Sequence, residues 1–160
     1  MIYNLQDNKP SECSDAKSGR FKIKLSDDSN MNSFLASKSG TGWSWNTMSR
    51  DSSYNDGWKF KVESDYGLAT DDGRAISINY DRYTNGGLGR ESTWTIKDHN
   101  IADKRLFLNS NDNGLTVRLY AKDRNANEDC VTNGPEDSIK YGFGKDCENQ
   151  ARFTFKLYKA

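Results

Sequence analysis

One alternating pattern occurs three times in this chain and restricts its possible folds more than any other feature. The three copies are residues 57–63 (GWKFKVE), 92–98 (STWTIKD) and 152–158 (RFTFKLY). In each copy an aromatic residue comes early and apolar residues alternate with Lys, Arg or Thr. A period of two is typical of a β-strand with one buried and one solvated face. Three copies predict three repeats of a β-rich unit.

The segments between these copies also have the pattern of short strands and turns. Residues 21–25, 75–80 and 115–120 alternate apolar and polar positions. Asp71-Asp72-Gly73 is a hairpin-turn signal, since its glycine supplies the positive φ that such a turn needs. No segment has a sustained apolar stripe of 3.6-residue period. The sequence therefore predicts an all-β fold with almost no helix.

Two segments lack this periodicity. Residues 1–19 are polar and contain Pro10, which predicts an N-terminal tail or a loosely docked arm before a single domain at 20–160. Residues 122–150 are predicted to be an irregular insertion in the third unit. This insertion accounts for the uneven spacing of the repeats, 36 positions from Trp58 to Trp94 and 59 from Trp94 to Phe153.

A chain of this length with three such units resembles the β-trefoil superfamily. The resemblance rests on the opening strands at 33–37, 66–73 and 104–114 and on the closing strands at 58–62, 94–96 and 153–157. It implies three pseudo-repeats of about four strands, with a long insertion in the third. The ricin-like lectin branch has a Gln two positions before the closing aromatic, where this chain has Asp56, Ser92 and Ala151. The resemblance therefore identifies no family within the superfamily, and the fold alone does not choose a function.

The charge balance argues against two classes of partner. Lys and Arg together number 23, as do Asp and Glu, and the signs are interspersed. A nucleic-acid binder usually has a basic excess or a basic face, and neither is visible. No apolar run approaches the roughly 18 residues of a membrane span. The first seven residues are too polar to begin a signal peptide, which favours a cytoplasmic location, with a mature secreted chain as the alternative.

The three cysteines, Cys13, Cys130 and Cys147, fit neither a zinc site nor a disulfide framework, because their number is odd and their spacing irregular. This favours a reducing compartment. A Cys130–Cys147 bridge is the alternative, and it would favour an extracellular location.

Features that support catalysis or metal binding are weak. His99 is the only histidine, and no Gly-x-Ser-x-Gly motif surrounds a serine. Residues 109–114 resemble the start of an EF-hand loop, but they offer mainly neutral Asn, and position twelve would be Tyr120. We therefore expect a non-enzymatic binding protein without a cofactor or a metal.

Aromatic residues beside short polar residues favour carbohydrate as the ligand. A sugar offers an apolar C–H face for stacking and hydroxyls for hydrogen bonds. The predicted carbohydrate site comprises Trp43, Trp45, Tyr54, Asp56, Asn79, Tyr80, Asp81, Arg82 and Tyr83. The competing interpretation is structural, with the tryptophans filling the interior and the tyrosines covering its rim.

A second class of function is protein binding through the insertion at 122–150. Long loops of this kind are commonly functional or disordered. Tyr141 and Phe143 are the predicted anchors for a protein partner. The sequence thus predicts glycans or a protein as the partner and leaves the oligomeric state open.

Overall fold

The computed structural model describes residues 1–12, 14–26, 31–39, 45–83, 90–98, 104–110, 114–123, 125, 128–132, 142–144 and 154–160. For the strand residues 37–39, 45–51, 78–83, 90–97, 128–132 and 142–144 the description is of the backbone alone.

Nearly all regular structure in these ranges is β-strand, which confirms the all-β prediction. The thirteen strands are β1 Ile2–Tyr3, β2 Phe21–Leu25, β3 Phe34–Ser39, β4 Trp45–Ser52, β5 Lys61–Val62, β6 Leu68–Ala69, β7 Ala75–Tyr83, β8 Arg90–Lys97, β9 Lys104–Ser110, β10 Val117–Asp123, β11 Glu128–Thr132, β12 Gly142–Gly144 and β13 Phe155–Lys159. The one helical element among the described residues is a single 3-10 turn, Ala16–Ser18. Among the described residues, every strand pairing is antiparallel except that of β1 with β13.

Six of the strands close into a ring. Their order around it is β2, β13, β10, β9, β6 and β5, with β5 returning to β2. Phe21 and Phe60 make the closing contact by exchanging two backbone hydrogen bonds of 3.0 and 2.8 Å. Gly67 bridges to Phe107 and joins β6 to β9. Every ring strand therefore has a neighbour on both sides.

Six of the other strands form three hairpins that join one another. These hairpins are β3–β4, β7–β8 and β11–β12. β8 lies at the centre of this group, because it also pairs with β4 through 93–95 and with β12 through 90–91. We refer to the three hairpins together as the cap.

The main core lies inside the ring. It is built from the alternate residues of the ring strands, among them Phe21, Ile23, Phe60, Leu106, Leu119, Phe155 and Leu157. Phe21, Ile23, Phe155 and Leu157 are 0% exposed. Ile2 and Ala16, from the N-terminal segment, belong to the same core. That segment is held to the ring by β1, which pairs with β13, and a backbone hydrogen bond from Ile2 to Ser14 folds the segment on itself.

A second cluster lies on the outer face of β2 and β13. It consists of the buried Tyr3, Phe34 and Tyr158, with the partly buried Leu5 and Tyr54 packed against it. We call these five residues the outer cluster. The alternation of Phe21-Lys22-Ile23-Lys24-Leu25 predicts a solvated face for the lysines, yet all five residues are buried. The reason is that tyrosines from distant segments cover this face.

Two further local predictions differ from the structure. Trp94 was expected in a closing strand, but it lies in β8, within the cap, and pairs with Asn46 and Ile78. Residues 122–150 were expected to be irregular, but they contain β11 and β12. Both strands are short and β12 is Gly-Phe-Gly, so their sequences lack an alternating signal.

Candidate functional site

The structure brings two predicted site residues to the ends of one short row across the cap. Tyr83 of β7 pairs with Arg90 of β8, and Arg90 pairs on its other edge with Phe143 of β12. Neighbouring strands lie about 4.8 Å apart, so the backbones of Tyr83 and Phe143 are roughly 10 Å apart. Arg82, Glu91 and Gly142 form the next row. We call these two rows the cap site.

The cap site thus joins residues from two separate sequence hypotheses. Arg82 and Tyr83 come from the predicted carbohydrate set, and Phe143 comes from the predicted protein anchors. Sequence reasoning missed Arg90 and Glu91, because nothing local indicates that β8 would be shared by three hairpins.

A bulge precedes the cap site in β7. Tyr80 pairs with Ser92 and Arg82 with Glu91, so Asp81 is the extra residue. A bulge bends its strand, increases the local twist and re-aims the residues that follow. Asn79, two positions before Asp81, pairs with Thr93 in regular register. The cap site therefore directly follows a β-bulge within residues 79–83. Bulges of this kind are common beside functional sites.

The predicted tryptophans do not join this row. Trp45 begins β4 and pairs with Thr95, five residues along β8 from Arg90 and so roughly 17 Å away along the strand. Trp43 and Tyr141 lie outside the described residues.

Tyr54 and Asp56 lie in the turn before β5, and Tyr54 is already engaged within the protein. Its hydroxyl donates to the Lys159 carbonyl at 2.7 Å, and its ring meets Phe34 edge-on at 5.4 Å. The Lys22 ammonium lies 4.2 Å from the ring centroid. Asp56 is exposed, and its carboxylate accepts from Ser53 Oγ at 3.2 Å. Tyr54 is thus a structural residue of the outer cluster, and its contacts lie on β2, β3 and β13.

Lysines extend over the rings of the outer cluster. Lys156 Nζ lies 3.9 Å from the Tyr3 centroid and donates to Asn8 Oδ1 at 2.7 Å. Burial lowers the pKa of Lys156, and burial together with the nearby Lys59 lowers the pKa of Lys22. Burial, aided by Tyr3, raises the pKa of Tyr158. This arrangement fixes the N-terminal segment to β13, so we assign it a structural role.

A second polar constellation surrounds Arg105 and was missed in the sequence. Arg105 Nη1 donates to Asp65 Oδ2 at 3.3 Å, and the Arg105 side chain is only 16% exposed. Its Cζ lies 5.4 Å from the Phe107 centroid, and Phe107 stacks on Tyr120 at 5.5 Å. Gly67 lies directly beneath the guanidinium. The available signal was Gly67, which directly precedes β6, since a glycine in or beside a strand can mark the close approach of another group.

Other functional classes gain no support from these residues. Within the described ranges, no three His, Cys, Asp or Glu side chains group so as to hold a metal ion. The same part of the chain contains no helix with the length and hydrophobicity needed to cross a membrane. Comparisons with protein-family models, with curated proteins and with solved structures found no match to this chain.

Proposed function

We propose that this chain is a single-domain β-trefoil. The closed ring of six strands and the three hairpins support this assignment, because chain order gives ring strand, hairpin and ring strand three times. In each unit the two ring strands meet through one bridge. The bridged residues are 39, 40 and 38 positions apart, from 21 to 60, from 67 to 107 and from 117 to 155. These near-equal separations favour three pseudo-repeats more strongly than the 36 and 59 positions between the aromatic copies.

We further propose that the protein binds carbohydrate, as a lectin-like module without catalytic activity. The observation that supports this proposal is the cap site, where strand pairing places Arg90 between Tyr83 and Phe143. Aromatic rings can stack on the C–H face of a sugar, and Arg90, in the same row as Tyr83 and Phe143, is a residue type that donates to its hydroxyls. Residues of three strands converge there, and a strand scaffold positions a ligand more precisely than a loop does.

A glycan array probed with the purified protein tests this function. We expect saturable binding to a related set of glycans, and loss of that binding in Tyr83→Ala and in Phe143→Ala. Tyr66→Gly is the matched control, because it removes an exposed tyrosine outside the cap and relieves a φ of 65°. A blank array at high protein concentration would contradict the proposal, as would turnover of any bound glycan.

Protein binding is the second candidate, and one observation favours it. Phe143 lies in β12, which pairs with β8, so the 122–150 region is anchored to the cap at this residue. An anchored aromatic is well suited to a protein interface. Capture of a defined protein that is lost in Phe143→Ala and retained in Tyr83→Ala would support this function over the first.

A further inference from the structure

We infer that Arg105 forms an oxyanion-binding site separate from the cap. The starting observation is that its Nε and Nη2 atoms are buried and have no hydrogen-bond partner in the part of the chain that the structure describes. Its one ion pair there, with Asp65, uses Nη1. Buried polar groups are almost always hydrogen-bonded to protein, water or ligand, so two orphan donors on a cation indicate a missing acceptor.

The two free donors are the ones that an oxyanion needs. In the planar guanidinium, the N–H bonds of Nε and Nη2 point the same way from one edge. This edge matches two oxygens of a carboxylate, sulfate or phosphate as a bidentate pair. A neutral hydroxyl offers only one oxygen, so it matches this two-donor edge poorly.

The guanidinium is held in place before any ligand arrives. A β-carbon at Gly67 would lie 2.2 Å from Nη2, so the group rests on the Gly67 backbone at a distance that only glycine permits. Phe107 lies near its Cζ, and Phe107 is itself stacked on Tyr120. A pre-oriented fork loses little side-chain entropy when it binds.

Shielding from water strengthens the site. Charge-assisted hydrogen bonds are stronger in a medium of low effective dielectric constant. The neighbouring Asp65, which accepts from Nη1, is 55% exposed, so the ion pair extends to the surface. One bidentate edge pairs with one oxyanionic group, and the candidates are the carboxylate of an acidic sugar and a sulfate.

The test follows the Arg Nε–H resonances of the wild-type protein by two-dimensional NMR. The protein is titrated separately with sodium glucuronate and with sodium sulfate at constant ionic strength. Glucose is the uncharged control for glucuronate. The Arg105 resonance is identified by its absence in Arg105→Lys. We expect glucuronate to shift it saturably and glucose to leave it unchanged. The response to sulfate shows whether the site prefers a carboxylate.

The variants give the affinity change. Arg105→Lys should weaken glucuronate binding by about tenfold to a hundredfold, because an ammonium cannot offer the bidentate edge. Arg118→Lys, in the adjacent strand β10, should leave it unchanged. If neither anion shifts the Arg105 resonance, the inference is overturned. Tyr83→Ala should leave glucuronate binding at Arg105 unchanged. A negative result for the Arg105 site can therefore be told apart from a negative result for the cap site.

Discussion

Both faces of β2 are buried, and so is most of the neighbouring β13, but the two faces are buried by different means. The inner face is aliphatic and aromatic, and it packs against the other ring strands. The outer face places lysines under tyrosines supplied by the N-terminal segment and by the turn at 53–57. Lys22 is 8% exposed and Lys24 is 4% exposed. Long lysine stems can cover apolar surface while their ammonium groups meet rings or carbonyl oxygens. Alternation of apolar and polar residues along a strand thus shows that its two faces differ, but it does not show whether the polar face is exposed to solvent.

The largest effect should come from a large-to-small substitution on either face. Phe21 in the inner core and Phe34 in the outer cluster are both 0% exposed. We expect Phe21→Ala and Phe34→Ala each to lower the free energy of unfolding by about 3–5 kcal/mol, measured by urea denaturation. Leu115→Ala, at a 48% exposed residue, should stay within about 0.5 kcal/mol. If Phe34→Ala behaves like Leu115→Ala, the outer cluster is not a core.

The next effect concerns Asn8, which links the N-terminal segment to β13. Its Oδ1 accepts from Lys156 Nζ at 2.7 Å and from Tyr158 Oη at 3.1 Å, and its φ is 55°. Asn8→Ala should lower the free energy of unfolding by about 1–3 kcal/mol, since it leaves two donors unpaired and adds backbone strain.

Asn8→Gly separates these two contributions by thermal or urea unfolding. Glycine removes the strain and keeps the loss of the acceptor, so its effect should be smaller than that of Ala but still destabilising. Wild-type stability in Asn8→Gly would show that the acceptor contributes nothing.

A smaller effect is the coupling between Lys156 and Tyr3. A double-mutant cycle with Lys156→Met and Tyr3→Leu should give a coupling energy of about 0.5–2 kcal/mol. Lys17 and Tyr66 form the matched exposed pair, with Lys17 Nζ 4.4 Å from a ring that belongs to a 39% exposed residue. Its coupling should be at or below about 0.5 kcal/mol. Equal couplings would remove the distinction between a cation contact with a buried ring and one with an exposed ring.

The smallest effect is a dependence of stability on pH. The pKa of Lys156 is lowered by burial from its usual 10.5, so the folded state binds fewer protons than the unfolded state in the window just below that value. Stability should therefore rise with pH through this window in the wild type, and rise less in Lys156→Gln. The raised pKa of Tyr158 acts in the opposite direction above 10.0, where stability should fall. Thermal unfolding at several alkaline pH values, compared between the two proteins, measures the difference. Parallel profiles would contradict it.

Local patterns predicted local structure well. The turn at Asp71-Asp72-Gly73 is confirmed, with Gly73 at φ 86° and its N–H donating to the Thr70 carbonyl. Phe21–Leu25 was predicted as a strand from its alternation, and it is one. Such features depend on residues a few positions apart, and a sequence displays those directly.

Features made by distant segments could not be predicted in this way. Arg105 forms an ion pair with Asp65, which lies 40 positions earlier in the chain. The local sequence around Arg105 suggests only an exposed arginine on a strand. Arg90 joins the cap site because β8 is shared with β12, and β12 is too short to have a signal of its own. Trp94 fits the pattern of a closing strand, but that pattern is equally compatible with a hairpin strand. Pairing partners, which decide between such alternatives, are a property of the whole fold.

The closed ring also has a consequence for the order of folding. Phe155 pairs with Leu25, 130 positions earlier in the chain, and β13 also pairs with β10 and β1. While a ribosome is still adding β13, the ring has a gap, and β2 and β10 each lack a neighbour. Non-local pairing of this kind is associated with slow folding, and unpaired strand edges are prone to aggregation. During synthesis, the interval before β13 emerges is therefore a time when the ring strands are vulnerable to aggregation.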